Sequence, residues 1–179
     1  MRIGFDNDKY CTIQSQHIRE RIAQFDGKLY LELGGKLFDD HHASRVLPGF
    51  QPDSKLRMFS QLADSIEIVI VISAEDIERN KVRADLGITY DEDVLRLRGE
   101  FQDRGFFVGS VVITHYNGQP SAKAYSERLA NMGIKSYFHY LIDGYPHNVS
   151  LIASDEGFGK NDYVETTREL VIVTAPGPG

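Results

Sequence analysis

Hydrophobic positions along this chain change period several times, and each change marks a predicted element. From Lys9 to Phe25, Ile13, His17, Ile18, Ile22 and Phe25 recur at three- and four-residue spacing. Arg19, Glu20, Arg21 and Gln24 fall outside that stripe. The spacing predicts an amphipathic helix, ended by Asp26-Gly27. Leu29-Tyr30-Leu31-Glu32-Leu33 predicts a short strand closed by Gly34-Gly35. Asp53-Ser54 is a cap for a helix through Leu62. Ile66 to Ile72 is nearly all aliphatic, broken by Glu67, as in a central strand covered on both faces. Asp91 to Asp103 is helical, with Val94, Leu95, Leu97 and Phe101 inward, and its start Asp91-Glu92-Asp93 complements the helix dipole. Gly109 to His115 is a strand. Pro120 starts a helix to Asn131, with Ala124, Tyr125, Arg128 and Leu129 on one stripe and Gly133 beyond its end. Lys135 to Leu141 is a strand, and Val164 to Val173 holds the final one.

Strands alternating with helices signal parallel βαβ units. The expectation is one α/β domain over residues 1–179, built on an open, mostly parallel three-layer sheet, Rossmann-like or P-loop-like. Ligands of such sheets bind beyond the carboxyl ends of the strands. The segments to search are therefore Gly34-Gly35 with the residues just after them, Ser73 to Glu75, Thr114 to Asn117, and Thr174 to Gly179.

Composition narrows the functional classes. Net charge is −6, which argues against a nucleic acid or an anionic membrane as the main partner, since both need clustered Lys and Arg. One phosphate ligand in a local basic pocket stays compatible with it. The single cysteine, Cys11, rules out an internal disulfide and fits a reducing, cytoplasmic setting. It reads as a small residue of the first helix. No signal-peptide pattern opens the chain, and no apolar run is long enough to span a bilayer.

Candidate chemistry sits in four places. The final strand runs into Thr174-Ala175-Pro176-Gly177-Pro178-Gly179, a strand and Gly-rich turn of the kind that cradles phosphate on converging N–H groups. The full G-x-x-x-x-G-K-[ST] pattern is absent: Ala175 stands where a Gly is needed, and the Lys and helix are missing. A plain Pro/Gly turn after a strand is the other reading. Asp39-Asp40-His41-His42, with Arg45 just beyond, places two carboxylates and two imidazoles at the expected ligand edge. They could bind a divalent metal or pair an acid with a base, with Arg45 clamping a phosphate. Adjacent residues do not share a face, so at most two of the four reach one site. A polar loop is the alternative. Gly157-Phe158-Gly159-Lys160 lacks the third glycine of a dinucleotide fingerprint. It reads as an ordinary connection or as a loop bringing Lys160 to an anion. Aromatics at Tyr137, Phe138, Tyr140 and Tyr116 read as core packing, because no basic residues interleave with them.

Four runs together resemble the bacterial domain-of-unknown-function family 1846: Ile3-Gly4-Phe5-Asp6, Lys28 through Lys36, Asp39 through Phe50, and Glu165-Thr166-Thr167-Arg168 with Thr174 through Gly179. The resemblance covers the whole chain. Members are much longer, and in them the last hexapeptide continues into Ser-Gly-Lys. The resemblance thus implies a P-loop-like site to which this chain contributes the N-terminal part, with Gly177 and Gly179 shaping the turn. It carries no established reaction and no catalytic residue.

The residues support three functional expectations. The first is a nucleotide or phosphate-ligand site in a longer enzyme, with Thr174, Ala175, Gly177, Pro178, Gly179, Arg45 and Lys160 around ATP or another nucleotide with Mg. The second is a non-catalytic binding or assembly module. The third is a metal-dependent hydrolase centred on Asp39, Asp40, His41 and His42. A final strand without its crossover helix would also leave apolar sheet uncovered and favour a homo-oligomer.

Overall fold

The computed structural model describes residues 4–25, 27–33, 38 and 45–176. Helix α1 spans Asn7–Gln24, and the Asp6 side chain caps it by accepting from Lys9 N at 3.0 Å. Strand β1 is Leu29–Glu32. Helix α2 is Ser54–Ser60, followed by a 3-10 turn at Ala63–Ser65 and strand β2, Ile66–Ser73. Short helix α3, Ala74–Glu78, leads into a hairpin of β3, Val82–Arg83, and β4, Ile88–Thr89. Then come α4, Tyr90–Asp103; β5, Phe107–Tyr116; α5, Pro120–Asn131; β6, Lys135–Tyr140; α6, Val149–Ile152; and β7, Leu170–Thr174.

Five strands form one open, all-parallel sheet in the order β1-β7-β2-β5-β6. The open parallel architecture expected from the alternating pattern is present. Helices α1 to α5 contribute to one large cluster with Ile66, Ile68, Ile70, Ile72, Val111, Ile113, Leu170 and Ile172. The opposite face holds a separate cluster of Val69, Val112 and Val171, with Val71, Tyr137, Val164 and Val173 around it. Among the described residues, no helix contributes to this second cluster. Its cover is the extended segment 161–168, which carries Val164.

Local chemistry explains where elements depart from expectation. Of the expected α1 stripe, Ile18 and Ile22 pack against the core, while Ile13 and His17 are exposed and Cys11 and Ser15 are buried instead. Small side chains let α1 lie close on α2, where Cys11 Sγ meets Ser54 O and Ser15 Oγ donates to Gln61 Oε1 at 2.8 Å. The final strand, expected within Val164 to Val173, begins at Leu170. Thr167 N and Arg168 N are turned away from any ladder and donate to the Glu67 carboxylate at 2.6 and 3.2 Å. Residues 74–89, with no element expected, form α3 and the hairpin. Gly87, at φ +70°, makes the tight turn.

Within the acidic start of α4, the three carboxylates separate in role. Glu92 reaches back to Thr89 N at 3.3 Å as part of a capping box. Asp91 lies 3.6 Å from Arg128. Asp93 is fully buried and bonds Arg83 Nη1 at 2.8 Å and Arg96 Nε at 2.7 Å. Dipole complement therefore does not describe Asp93. It anchors the hairpin to α4.

Candidate functional site at the carboxyl edge of the sheet

The carboxyl ends of β2, β5 and β7 converge on a crevice of about 200 Å³, its polar lining being Ser73, Asp76, Lys81, Tyr90 and Thr114 and one wall Ala175-Pro176. Each of these residues is positioned by a local device. Ser73 ends β2 and caps α3, its hydroxyl accepting from Glu75 N at 3.2 Å. Asp76 lies in α3. Its backbone carbonyl accepts from Lys81 N at 3.0 Å, and its carboxylate pairs with Lys81 Nζ at 3.2 Å. Tyr90 opens α4, and its N–H donates to Lys81 O at 2.9 Å. The Lys81 ammonium stands 4.7 Å from the centroid of the Tyr90 ring, within cation–π range.

The hairpin that presents Lys81 is held by buried charge. Arg83 makes a two-pronged contact with Asp85, Nε to Oδ1 at 2.8 Å and Nη2 to Oδ2 at 3.0 Å, while its Nη1 bonds Asp93. Hydrogen bonds to Asp85 and then Asp93 hold the guanidinium pKa above its ordinary value, against the opposing effect of burial. Arg83 is thus a fixed cation behind the hairpin, and Lys81 is the cation in front of it.

Lys81 stays protonated. Its hydrogen bond to Asp76, then the charge of that carboxylate, raise its pKa above the ordinary lysine value. An ammonium has three donors and Asp76 takes one, so an anion entering the crevice meets a preformed positive charge. Thr114, at the end of β5, turns its hydroxyl toward Ile72 O at 3.4 Å. Beyond it the β5–β6 register breaks between Ile113 and Tyr116, and His115 takes a left-handed backbone at φ +53°. A bulge with a non-glycine residue at positive φ stores strain at this edge, as at many ligand sites.

The expected site residues are not all brought together. Thr174 is buried at the end of β7, and Ala175 is exposed on the crevice wall. Gly177, Pro178 and Gly179 lie outside the described residues, as do Asp39, Asp40, His41 and His42. Arg45 is exposed and does not line the crevice. Lys160 belongs to a different cleft, with Leu141, Asp143, Asp155 and Glu156, and its ammonium lies 5.2 Å from the Tyr140 ring centroid. Among the described residues, no three His, Cys, Asp or Glu side chains are grouped to hold a metal ion. Asp76, Lys81 and Tyr90 escaped the sequence reading. The signal was present: Ser73 directly after a strand caps a new helix turn, which delivers Lys81 back over the strand ends.

Among the described residues, no helix is long and apolar enough to cross a membrane. Comparison with known proteins gives a family and no reaction. The family model described as "Domain of unknown function DUF1846, N-terminal" matches residues 3–179. A UPF0371 protein of Corynebacterium diphtheriae is 60% identical over 178 residues, 99% of this chain and 36% of that relative. UPF0371 proteins of Streptococcus sanguinis and Streptococcus pyogenes are 56% and 55% identical, again over 99% of this chain and 36% of their own lengths. The chain thus spans about a third of the length of the curated relatives it matches, and with nearly all of its residues matched by the family model it belongs to the DUF1846 family.

Proposed function

We propose that this chain forms one wall of a site for a phosphate-bearing small molecule, a nucleotide foremost, in a longer family protein. The observation that carries the reading is the position of Lys81: a protonated amine, set between Asp76 and the Tyr90 ring, at the crevice where β7 delivers Thr174-Ala175-Pro176. Open parallel sheets bind ligands at that edge. Lys81 supplies charge to a phosphate, and Ser73 and Thr114 supply hydroxyls.

Calorimetric titration of ATP, with and without Mg²⁺, into a full-length family member tests the reading. Binding that Lys81→Ala weakens at least about tenfold is the expected result, the scale of losing one charged hydrogen bond. No heat with any nucleotide or with inorganic phosphate would overturn it.

A further inference from the structure

The two edges of the sheet are finished differently. At β6, Phe138 N donates to Asp162 Oδ2 and Tyr140 N to Asn161 Oδ1, both at 2.7 Å, and Asp162 N donates to Phe138 O at 3.0 Å. The segment after β6 folds back along its outer side and closes that edge, a standard protection against unwanted pairing. At β1, Leu29 N and Leu33 N donate inward to Glu169 O and Val173 O. Strand alternation then aims the Tyr30 and Glu32 N–H groups outward, where no described strand pairs with β1.

Apolar surface flanks this edge on both faces. On the helical face, a groove of about 290 Å³ runs between α1 and β1, lined by His17, Ile18, Arg21, Phe25, Leu29 and Leu31. Phe25 is 51% exposed beside it. On the valine face, Tyr30 is 58% exposed, in register with buried Val171 of β7, and half-buried Val173 and Val71 lie further along the same face. An outermost strand with greasy flanks above and below is a strand awaiting a neighbour.

We infer that in the full-length family protein β1 is an interior strand, and that the chain following β7 crosses the valine face and lays a sixth parallel strand along the outer side of β1. Two observations select this occupant. The matched family model is the N-terminal one and the relatives are almost three times as long, so chain is at hand after β7. Handedness then fixes its path. The β2-to-β5 and β5-to-β6 crossovers move one way along the sheet with α3, α4 and α5 on the helical face. The β6-to-β7 return moves the other way, through 161–168 on the valine face. A crossover from β7 to the outside of β1 moves in that same return direction. The right-handed rule therefore places it on the valine face as well, over Val173, Val71 and Tyr30. One connection would cover the part of the valine face that segment 161–168 leaves exposed and occupy the open edge. This inference does not depend on a ligand at the crevice.

Site-resolved hydrogen exchange on a full-length family member carrying this segment tests it. The amides of Tyr30 and Glu32 are expected to exchange within about tenfold of the inward-bonded Leu31 amide. Exchange about a hundredfold faster than Leu31, the behaviour of an open edge, overturns the proposal. Protection that vanishes on dilution to monomer also overturns it, since a second copy would then be the neighbour. The variant Glu32→Pro gives an independent readout. It removes an outward N–H, so it should lower Tm by several degrees if β1 is interior. An unchanged Tm overturns the proposal.

Discussion

Glu67 and Gly109 share one volume: a Cβ at Gly109 would stand 1.9 Å from Glu67 Oε1 and 2.7 Å from its Cδ. Glu67 is 1% exposed and projects from the central strand onto the valine face. Its other oxygen, Oε2, accepts from Thr167 N, Thr167 Oγ1 and Arg168 N at 2.6, 3.1 and 3.2 Å. Those three donors lie just before β7. The missing side chain at Gly109, where the β2–β5 register slips between Ile68 and Val69, makes room for a carboxylate that fixes where β7 begins.

Gly109→Ala is therefore expected to destabilise the protein by about 2–3 kcal/mol, the cost of forcing atoms into a packed site. Glu67→Ala removes the acceptor of two backbone N–H groups and should cost a similar amount. The double variant should lose clearly less than the sum, because the alanine methyl then enters the space that Glu67 vacates. Urea denaturation of the four proteins reads this directly. Strict additivity would show that the two residues do not share that space.

The Arg83–Asp93 pair sets up a second prediction. Asp93 is fully buried, and its two oxygens are divided between Arg83 and Arg96. Asp93→Ala leaves the buried Arg83 guanidinium with Asp85 alone, frees Arg96, and is expected to cost about 2–3 kcal/mol. The exposed Arg79–Glu75 pair, one helical turn apart, is the control: Glu75→Ala should cost under about 1 kcal/mol. Adding salt to 1 M should reduce the small effect and leave the large one standing. Equal costs for both variants would deny Asp93 its anchoring role.

The range of each force decides how much of this was readable in the residues. The sheet strands announced themselves through local runs such as Ile66–Ile72, because burial on both faces demands aliphatic side chains at consecutive positions. The burial of Cys11 and Ser15 in α1 did not, because it comes through contacts 43 and 46 residues away in sequence. Asp93 looked like its neighbours Asp91 and Glu92. Only the hairpin's return of Arg83 makes it a core residue. Lys81 was hidden for the same reason, since its value lies in meeting Asp76 and Tyr90 and neither spacing is a known motif. The strand leading to Thr174 was legible, and the crevice that Ala175 and Pro176 share with Lys81 was not.

His139 makes stability pH-dependent in a defined window. Burial lowers its pKa from the usual 6.5, with Asp162 opposing in part. The unfolded state therefore binds a proton at higher pH than the folded state does. Stability contributed by neutral His139 is full above the unfolded value and is lost as pH falls through 6.5 toward the folded pKa. Tm measured from pH 7.5 down to 5.5 should fall faster for the natural protein than for His139→Asn. Parallel curves would remove His139 as the cause.

Cys11 gives a kinetic prediction. Burial raises the thiol pKa above its ordinary value, the nearby Arg57 pulls it back in part, and the side chain is 2% exposed. Thiolate is the reactive form. A disulfide reagent at pH 8 should label the folded chain more slowly than the unfolded chain by about the global unfolding equilibrium constant. Labelling much faster than that would mean that Cys11 is reached by local opening of α1 from α2.

Lys81 and Asp76 separate ligand recognition from folding. The pair is partly exposed, with side chains 51% and 25% accessible, so breaking it should change stability by under about 1 kcal/mol. Its effect on an anion is larger and depends on which partner is removed. Lys81→Ala deletes the attracting charge. Asp76→Asn keeps Lys81, deletes a carboxylate that repels phosphate, and frees an ammonium donor. If the crevice receives phosphate, the two variants must move affinity in opposite directions, Asp76→Asn tightening it several-fold and Lys81→Ala loosening it about tenfold. A merely structural pair would move both the same way, because each variant breaks the same contact. Opposite signs in calorimetry with ATP or inorganic phosphate, at matched melting temperatures, would therefore locate the ligand beside Lys81, and equal signs would locate it elsewhere.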